Sequence, residues 1–315
     1  MNLKNKNIII VFIILLVLAL FICLLLNYGY RNDNYKNEEF QSQGGDSKIA
    51  FLFLTYNNLK RPDVWNKFLD TQTGNPSKYV DKFTIYLHAK EPQNVTDLLL
   101  KGKHIPEHIE TCWGCFGTVE ANILMLKAAL KNPLNKKFIL VSESCIPIVS
   151  FDKFYKELMK DDKSIINIFF NQMQRYDQIN NPEFSKDKFT KSAAQGLVFN
   201  RNHAELLVNS LTQYKNDWKN MECVDEHYFC NILRELDLKF ELTNKNNKFT
   251  FDVWDKDDIN DISYMHIKNG DIKSDSYINL KKISNKAIDD IRENDFMFAR
   301  KVDKDTEIDV EYILS

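Results

Sequence analysis

The stretch "FILVSESCIPIVSF", Phe138 to Phe151, sets the reading of the chain. An apolar run stops at Ser142-Glu143-Ser144-Cys145, Pro147 is expected to end any strand, and a new amphipathic segment then begins. A buried strand that finishes in a small polar tetrapeptide is either an ordinary turn or a ligand site at a strand's carboxyl end.

Working outward, the signals alternate. "KIAFLFLTY", "KFTIYLHA" and "KKFILVS" are apolar runs of strand length, and "IINIFF" (Ile165 to Phe170) and "GLVFN" are read as a fourth and fifth strand. "RPDVWNKFLDTQ" has Pro62 in a first helical turn. "TVEANILMLKAAL" places Val119, Ile123, Leu126 and Leu130 on one helical face, ended by Asn132-Pro133. "SFDKFYKELMKD" is a helix that Ser150 can cap. "RNHAELLVNSL" and "DEHYFCNILREL" are further helices, with short strands near "KFELT" and "FTFDVW". Strands alternating with helices predict an α/β domain with a central, mostly parallel sheet, in which ligands sit outside the strands' carboxyl ends. The "SESC" turn falls at such a position.

The chain has 315 residues, with 42 basic and 44 acidic side chains and a net charge of -2. No basic stripe interleaved with aromatics is present, so no nucleic-acid partner is expected. Residues 8–26, "IIIVFIILLVLALFICLLL", are nineteen positions without a charge. As a helix they would span about 28 Å, close to a bilayer's hydrocarbon core. The apolar run exceeds a signal peptide's, and no Ala-x-Ala site follows. Lys4 and Lys6 precede it, which favours a cytosolic leader, residues 1–7, and a type II signal anchor with the rest of the chain outside the cytosol; an uncleaved or oddly cleaved signal is the alternative. Residues 27–47 read as a flexible stem and 48–315 as one folded domain. The expected location is the secretory pathway (Golgi-like), or a host membrane if the source is viral. Asn94 in "NVT" is a glycosylation acceptor.

Of six cysteines, Cys23 lies in the apolar span and five lie beyond it, so at least one of those five is unpaired within the monomer. "CWGC" at Cys112 to Cys115 has redox or zinc spacing, but no second pair or His pair completes a tetrahedral set.

Taken in order, "KIAFLFLTY", "CWGCFGTVEANILMLKAAL", "NPLNKKFILVSESCIPIVSFDKFY", "QGLVFNRNHAELLV" and "CVDEHYFCNIL" resemble the core-2/I-branching β-1,6-N-acetylglucosaminyltransferase family, glycosyltransferase family 14, and most its plant-type branch. The match runs from Lys48 to Leu236 and thins beyond Leu242. The resemblance implies an inverting, metal-independent transferase with a GT-A-like Rossmann-type domain, a UDP-sugar donor as co-substrate, a glycan or glycoprotein acceptor, and no cofactor. N-acetylglucosamine is the first expectation for the sugar.

An inverting transfer needs a base for the acceptor hydroxyl and positive charge for the departing diphosphate. Glu226 in "VDEHY" matches the family's catalytic glutamate; from sequence alone, Asp225 and Glu226 also suit a helix N-cap and first turn. Glu143 supplies one carboxylate where an Asp-x-Asp metal site would want two, so with Ser144 it becomes a donor contact, or the turn's own cap. Asp255/Asp257 and Asp303/Asp305 are read as solvated loop pairs. The resemblance puts Lys301 and Arg300 of "FMFARKVD", and Lys268 of "HIKNGD", on the diphosphate, and Thr55, Trp113 and Glu120 on the nucleotide side. Gln195 and Trp254 are expected at the acceptor, with Gly196 standing where the plant-type branch has a Trp. His203 and His227 are read as hydrogen-bonding helix residues. An inactive, membrane-anchored carbohydrate-binding relative, a CxxC module and a purely structural protein are the competing readings.

Overall fold

The computed structural model describes residues 46–71, 76–166, 168–169, 173–236, 249–251, 265–267 and 280–315. The apolar span 8–26, the stem up to residue 45, the "KFELT" strand, Trp254, Asp255, Asp257 and Lys268 lie outside them. Among the described residues no helix is long and apolar enough to cross a membrane. Asp46–Ser315 forms one compact unit.

The main sheet has the order β2-β1-β3-β7, from β1 (Lys48–Thr55), β2 (Phe83–Ala89), β3 (Asn135–Ser142) and β7 (Val198–Asn200). β1 runs parallel to both neighbours, with Ile49 opposite Phe83 and Lys137, while β7 pairs antiparallel to β3 through Phe138 and Phe199. Strands buried on both faces explain the unbroken apolar runs. Alternate residues feed two cores: Ala50, Leu52, Phe138 and Leu140 one, Ile49, Phe51, Phe53, Ile139 and Val141 the other. The first face is covered by α2 (Phe116–Leu130), α4 (Arg201–Trp218) and α5 (Tyr228–Glu235), the second by α1 (Pro62–Phe68) and α3 (Phe151–Met159). Pro62 starts α1 where its missing N–H is harmless. Ser150 makes no capping hydrogen bond to α3, whereas Asn200 caps α4 by accepting from His203 N.

Within the fourth expected strand, Ile165 forms an antiparallel bridge with Val198 of β7 and β5 (Ile168–Phe169) pairs with β6 (Lys191–Ser192); residues 167 and 170 lie outside the described ones. Pro147 is the last residue of a short strand, as expected, but it takes part in the pairing: β4 (Ile146–Pro147) pairs with β11 (Phe298–Ala299), and β11 with β8 (Thr250–Phe251). In the order β4-β11-β8 the proline sits on an edge strand, where its lack of a donor is tolerated. A third sheet joins β9 (Met265–Ile267), β10 (Leu280–Ile283) and β12 (Val302–Ile308). It packs with α6 (Asn285–Glu293) and α7 (Val310–Ile313) into a third apolar cluster around Ile288, Ile291 and Ile313.

Candidate active site

A cleft of about 880 Å³ opens at the carboxyl ends of β1 and β3. The connection order reverses between these two strands, the position where open α/β sheets bind ligands. It gathers Thr55, Trp113, Glu143, Ser144, Gln195, Glu226, Arg300 and Lys301, drawn from six separate segments. Glu120 is not among its lining residues: it pairs with Lys215 and ties α2 to α4. Asn94 is exposed on a short turn, where its Nδ2 donates to Glu91 Oε2 at 2.8 Å.

At one end, the "SESC" turn is held from three sides. Glu143 Oε2 accepts from Tyr56 N at 2.5 Å and Oε1 lies 3.5 Å from Lys60 Nζ, so the carboxylate ties the ends of β1 and β3 together. Buried Trp65 on α1 donates its indole N–H to Cys145 O at 2.9 Å. Val302 N donates to Ser144 O at 3.0 Å. Because β11 is paired to β4, the two residues that follow it, Arg300 and Lys301, arrive beside this turn. Burial, then the neighbouring guanidinium of Arg300, pushes the Lys301 ammonium below the usual lysine range. Thr55 turns its hydroxyl into its own loop, donating to Asn57 O at 2.9 Å. The half-exposed ring of Tyr56 is the aromatic face in the cleft here, its hydroxyl bonded to Glu91 at 2.6 Å.

At the other end stands the turn Cys223–Glu226. Cys223 adopts a left-handed backbone (φ 48°), and Glu226 N closes back on Cys223 O at 3.0 Å. Asp225 makes no helix cap; α5 starts only at Tyr228. Glu226 is 8% exposed and lines the cleft. Its Oε2 lies 3.1 Å from Lys191 Nζ and 3.8 Å from Arg175 Nη1, while Oε1 has no hydrogen bond among the described residues. Burial and the adjacent Glu226 charge push the Asp225 carboxyl up to about 6, with Arg300 opposing. Fully buried Asn231 holds the arrangement: its Oδ1 accepts from Thr190 N at 2.9 Å and its Nδ2 donates to Thr190 O and His227 O, both at 2.7 Å. That clamps the strand carrying Lys191 against the turn carrying Glu226. His227 belongs to the clamp, its Nδ1 2.9 Å from Thr190 O, and burial lowers it to about 4. His203 is likewise a structural hydrogen-bonding residue, 2.7 Å from Ser164 Oγ.

The side walls come from two glycine-dependent turns. Cys112 and Cys115 are joined by a disulfide, and Gly114 between them (φ 67°) accepts at its carbonyl from Val224 N at 3.3 Å. Cys145, Cys223 and Cys230 are buried free thiols. Gly196 (φ 75°) follows Gln195, and a Cβ there would lie 1.9 Å from Thr250 Oγ1. A tryptophan therefore has no room at this position, whatever the acceptor.

Arg175, Lys191, Lys60, Lys90 and Tyr56 also line the cleft and escape a sequence reading. Arg175 and Lys191 sit in polar segments between recognisable elements, and only the tertiary pairing with Glu226 singles them out. Asp303, read as a solvated loop residue, belongs to β12 and lines the cleft. In total, six basic side chains face four acidic ones. Such a surplus suits a polyanionic ligand.

The Core-2/I-Branching enzyme family model matches residues 49–290. The chain is also similar to the glycosyltransferase BC10 of Oryza sativa subsp. japonica, with 26% identity over 249 residues, which cover 69% of this chain and 60% of that relative. The chain thus aligns with less than two thirds of that relative's length.

Proposed function

From the premise that this chain belongs to the Core-2/I-Branching enzyme family, we propose that it is an inverting glycosyltransferase acting from a UDP-sugar on a glycan or glycoprotein hydroxyl. The observation that carries this reading is the Glu226 carboxylate, set in a cation-rich cleft at the sheet's carboxyl edge. Its Oε1 is available to an acceptor hydroxyl while Lys191 and Arg175 hold Oε2.

In the proposed mechanism the uracil lies against Tyr56, and the diphosphate lies along Arg300 and Lys301, beside Ser144. The acceptor hydroxyl hydrogen-bonds Glu226 and attacks the anomeric carbon opposite the leaving group. The bond to the diphosphate oxygen breaks, and the proton passes to Glu226. Fixed cations stabilise the charge that grows on the leaving UDP, so the reaction is proposed to need no metal and no further cofactor. N-acetylglucosamine is the proposed sugar. We further propose that residues 8–26 anchor the chain as a type II protein of the secretory pathway, which rests on their uninterrupted apolar sequence, and that Asn94, exposed in its sequon, carries a glycan.

The test is UDP release from a panel of UDP-sugars by the detergent-solubilised full chain, with EDTA present, for wild type and Glu226→Gln. Release from one donor that is abolished in the variant supports the reading. Equal activity in both removes Glu226 as the base, and UDP binding without turnover favours the inactive carbohydrate-binding relative.

A further inference from the structure

We propose that Trp113 is a stacking platform for a sugar ring of the acceptor, so that the acceptor is a glycan presenting an apolar pyranose face and not a peptide hydroxyl alone. The proposal rests on the transferase reading above.

Trp113 is 85% exposed, although it lies in the cleft lining. An indole left in water forgoes the gain of burial, and here it is presented on a backbone that has little freedom to turn it inward. The Cys112–Cys115 disulfide closes the turn. Thr118 Oγ1 donates to Cys112 O at 2.9 Å and Cys115 N to the same carbonyl at 3.3 Å. An uncovered aromatic on a constrained turn of a polar cleft matches how a pyranose is recognised, with its C–H face on a ring and its hydroxyls on polar groups.

The position assigns the ring to the acceptor. The turn rests on the segment that carries the base: Val224 N donates to Gly114 O at 3.3 Å, and a Cβ at Gly114 would stand 3.1 Å from Cys223 N. The turn carrying Trp113 is therefore packed against the turn carrying Glu226, and the partner of the proposed base is the acceptor. Tyr56, Ser144 and Lys301 line the side of the cleft at the ends of β1 and β3, with Arg300 between them and Asp225. A second observation points the same way. Gln195 is 6% exposed and lines the cleft, yet its Oε1 has no hydrogen-bond partner among the described residues. A buried acceptor atom of this kind calls for a donor from a ligand, and a sugar hydroxyl is one.

Saturation-transfer NMR on the full chain with methyl β-galactoside, methyl β-glucoside and methyl β-xyloside, alongside calorimetric titration with UDP, tests this for wild type, Trp113→Ala and Trp113→Phe. The exposed position makes both variants expected to fold with unchanged melting temperature. The proposal expects saturation of ring protons on one face of at least one glycoside. It expects affinity to fall about tenfold in Trp113→Ala, the size of a lost aromatic contact, with partial recovery in Trp113→Phe and UDP affinity unchanged within twofold. Loss of UDP affinity by the same factor would make Trp113 a donor residue and overturn the proposal, as would glycoside binding that ignores the substitution or no glycoside binding by wild type. Trp113-dependent glycoside binding with no UDP binding would keep the platform and sink the transferase reading.

Discussion

Two turns at opposite ends of the cleft each present a glutamate. Glu143 is taken up by a backbone amide, Tyr56 N, and by Lys60 at the mouth of β1. Glu226 is met on one oxygen by two side-chain cations and, among the described residues, left open on the other. An amide fixed at the end of a strand cannot be displaced by a substrate without breaking the sheet's edge, whereas a lysine or an arginine can swing away. The first carboxylate is therefore a structural tie and the second is available for chemistry. A carboxylate's role follows from whether its partners can leave.

The comparison breaks most visibly at Glu226. Glu226→Gln keeps the shape but not the proton acceptor, and kcat is expected to fall by about 10²–10⁴-fold with little change in melting temperature, measured by UDP release and thermal unfolding. Glu143→Ala should do the reverse. Freeing Tyr56 N and Lys60 is expected to lower stability by about 1–3 kcal/mol in chemical denaturation, with kcat falling less than tenfold. If Glu143→Ala were as inactive as Glu226→Gln and fully stable, the division between tie and base would fail.

The smallest effect sharpens the comparison through Asp225. Its folded-state carboxyl sits at about 6, above its ordinary value, because of burial and then Glu226. The folded protein thus holds this proton up to a higher pH than the unfolded chain does. The stabilisation it brings is present at low pH and lost as pH rises from about 4 through 6. Ionisation also places a negative charge beside Arg300, in competition with a diphosphate. Because UDP's terminal phosphate also ionises at about pH 6, the effect is read as a ratio: UDP affinity of wild type relative to Asp225→Asn is expected to fall a few-fold between pH 5 and 7, measured by UDP titration of both across that range.

Much of the scaffold was legible because burial on both sheet faces writes continuous apolar runs, as in β1 and β3, and because the long helix α2 keeps Val119, Ile123 and Leu126 on its buried side. The position of the "SESC" turn followed from the same runs. Its carboxylate's partners did not, since Tyr56 lies 87 residues away in the chain. Nor could the sequence place Pro147 in a strand, because only pairing with Phe298 makes it one. Arg300 and Lys301 came from family likeness, and the contact that delivers them, β4 to β11, leaves no local pattern. Arg175 and Lys191 had no pattern at all: a cation between elements looks solvated until its partner is known. Trp113 was placed on the nucleotide side by family likeness alone, and its exposure leaves no local pattern, since an aromatic in a turn can be buried or open.

The small sheet β4-β11-β8 joins segments near residues 146, 250 and 298. During synthesis the turn Cys223–Glu226 leaves the ribosome some seventy residues ahead of Arg300 and Lys301. The main sheet is therefore complete in the nascent chain before two of the cleft's cations exist. Closure of the last strand then completes the cleft, so the cleft's full charge is present only once the whole domain has been made and folded.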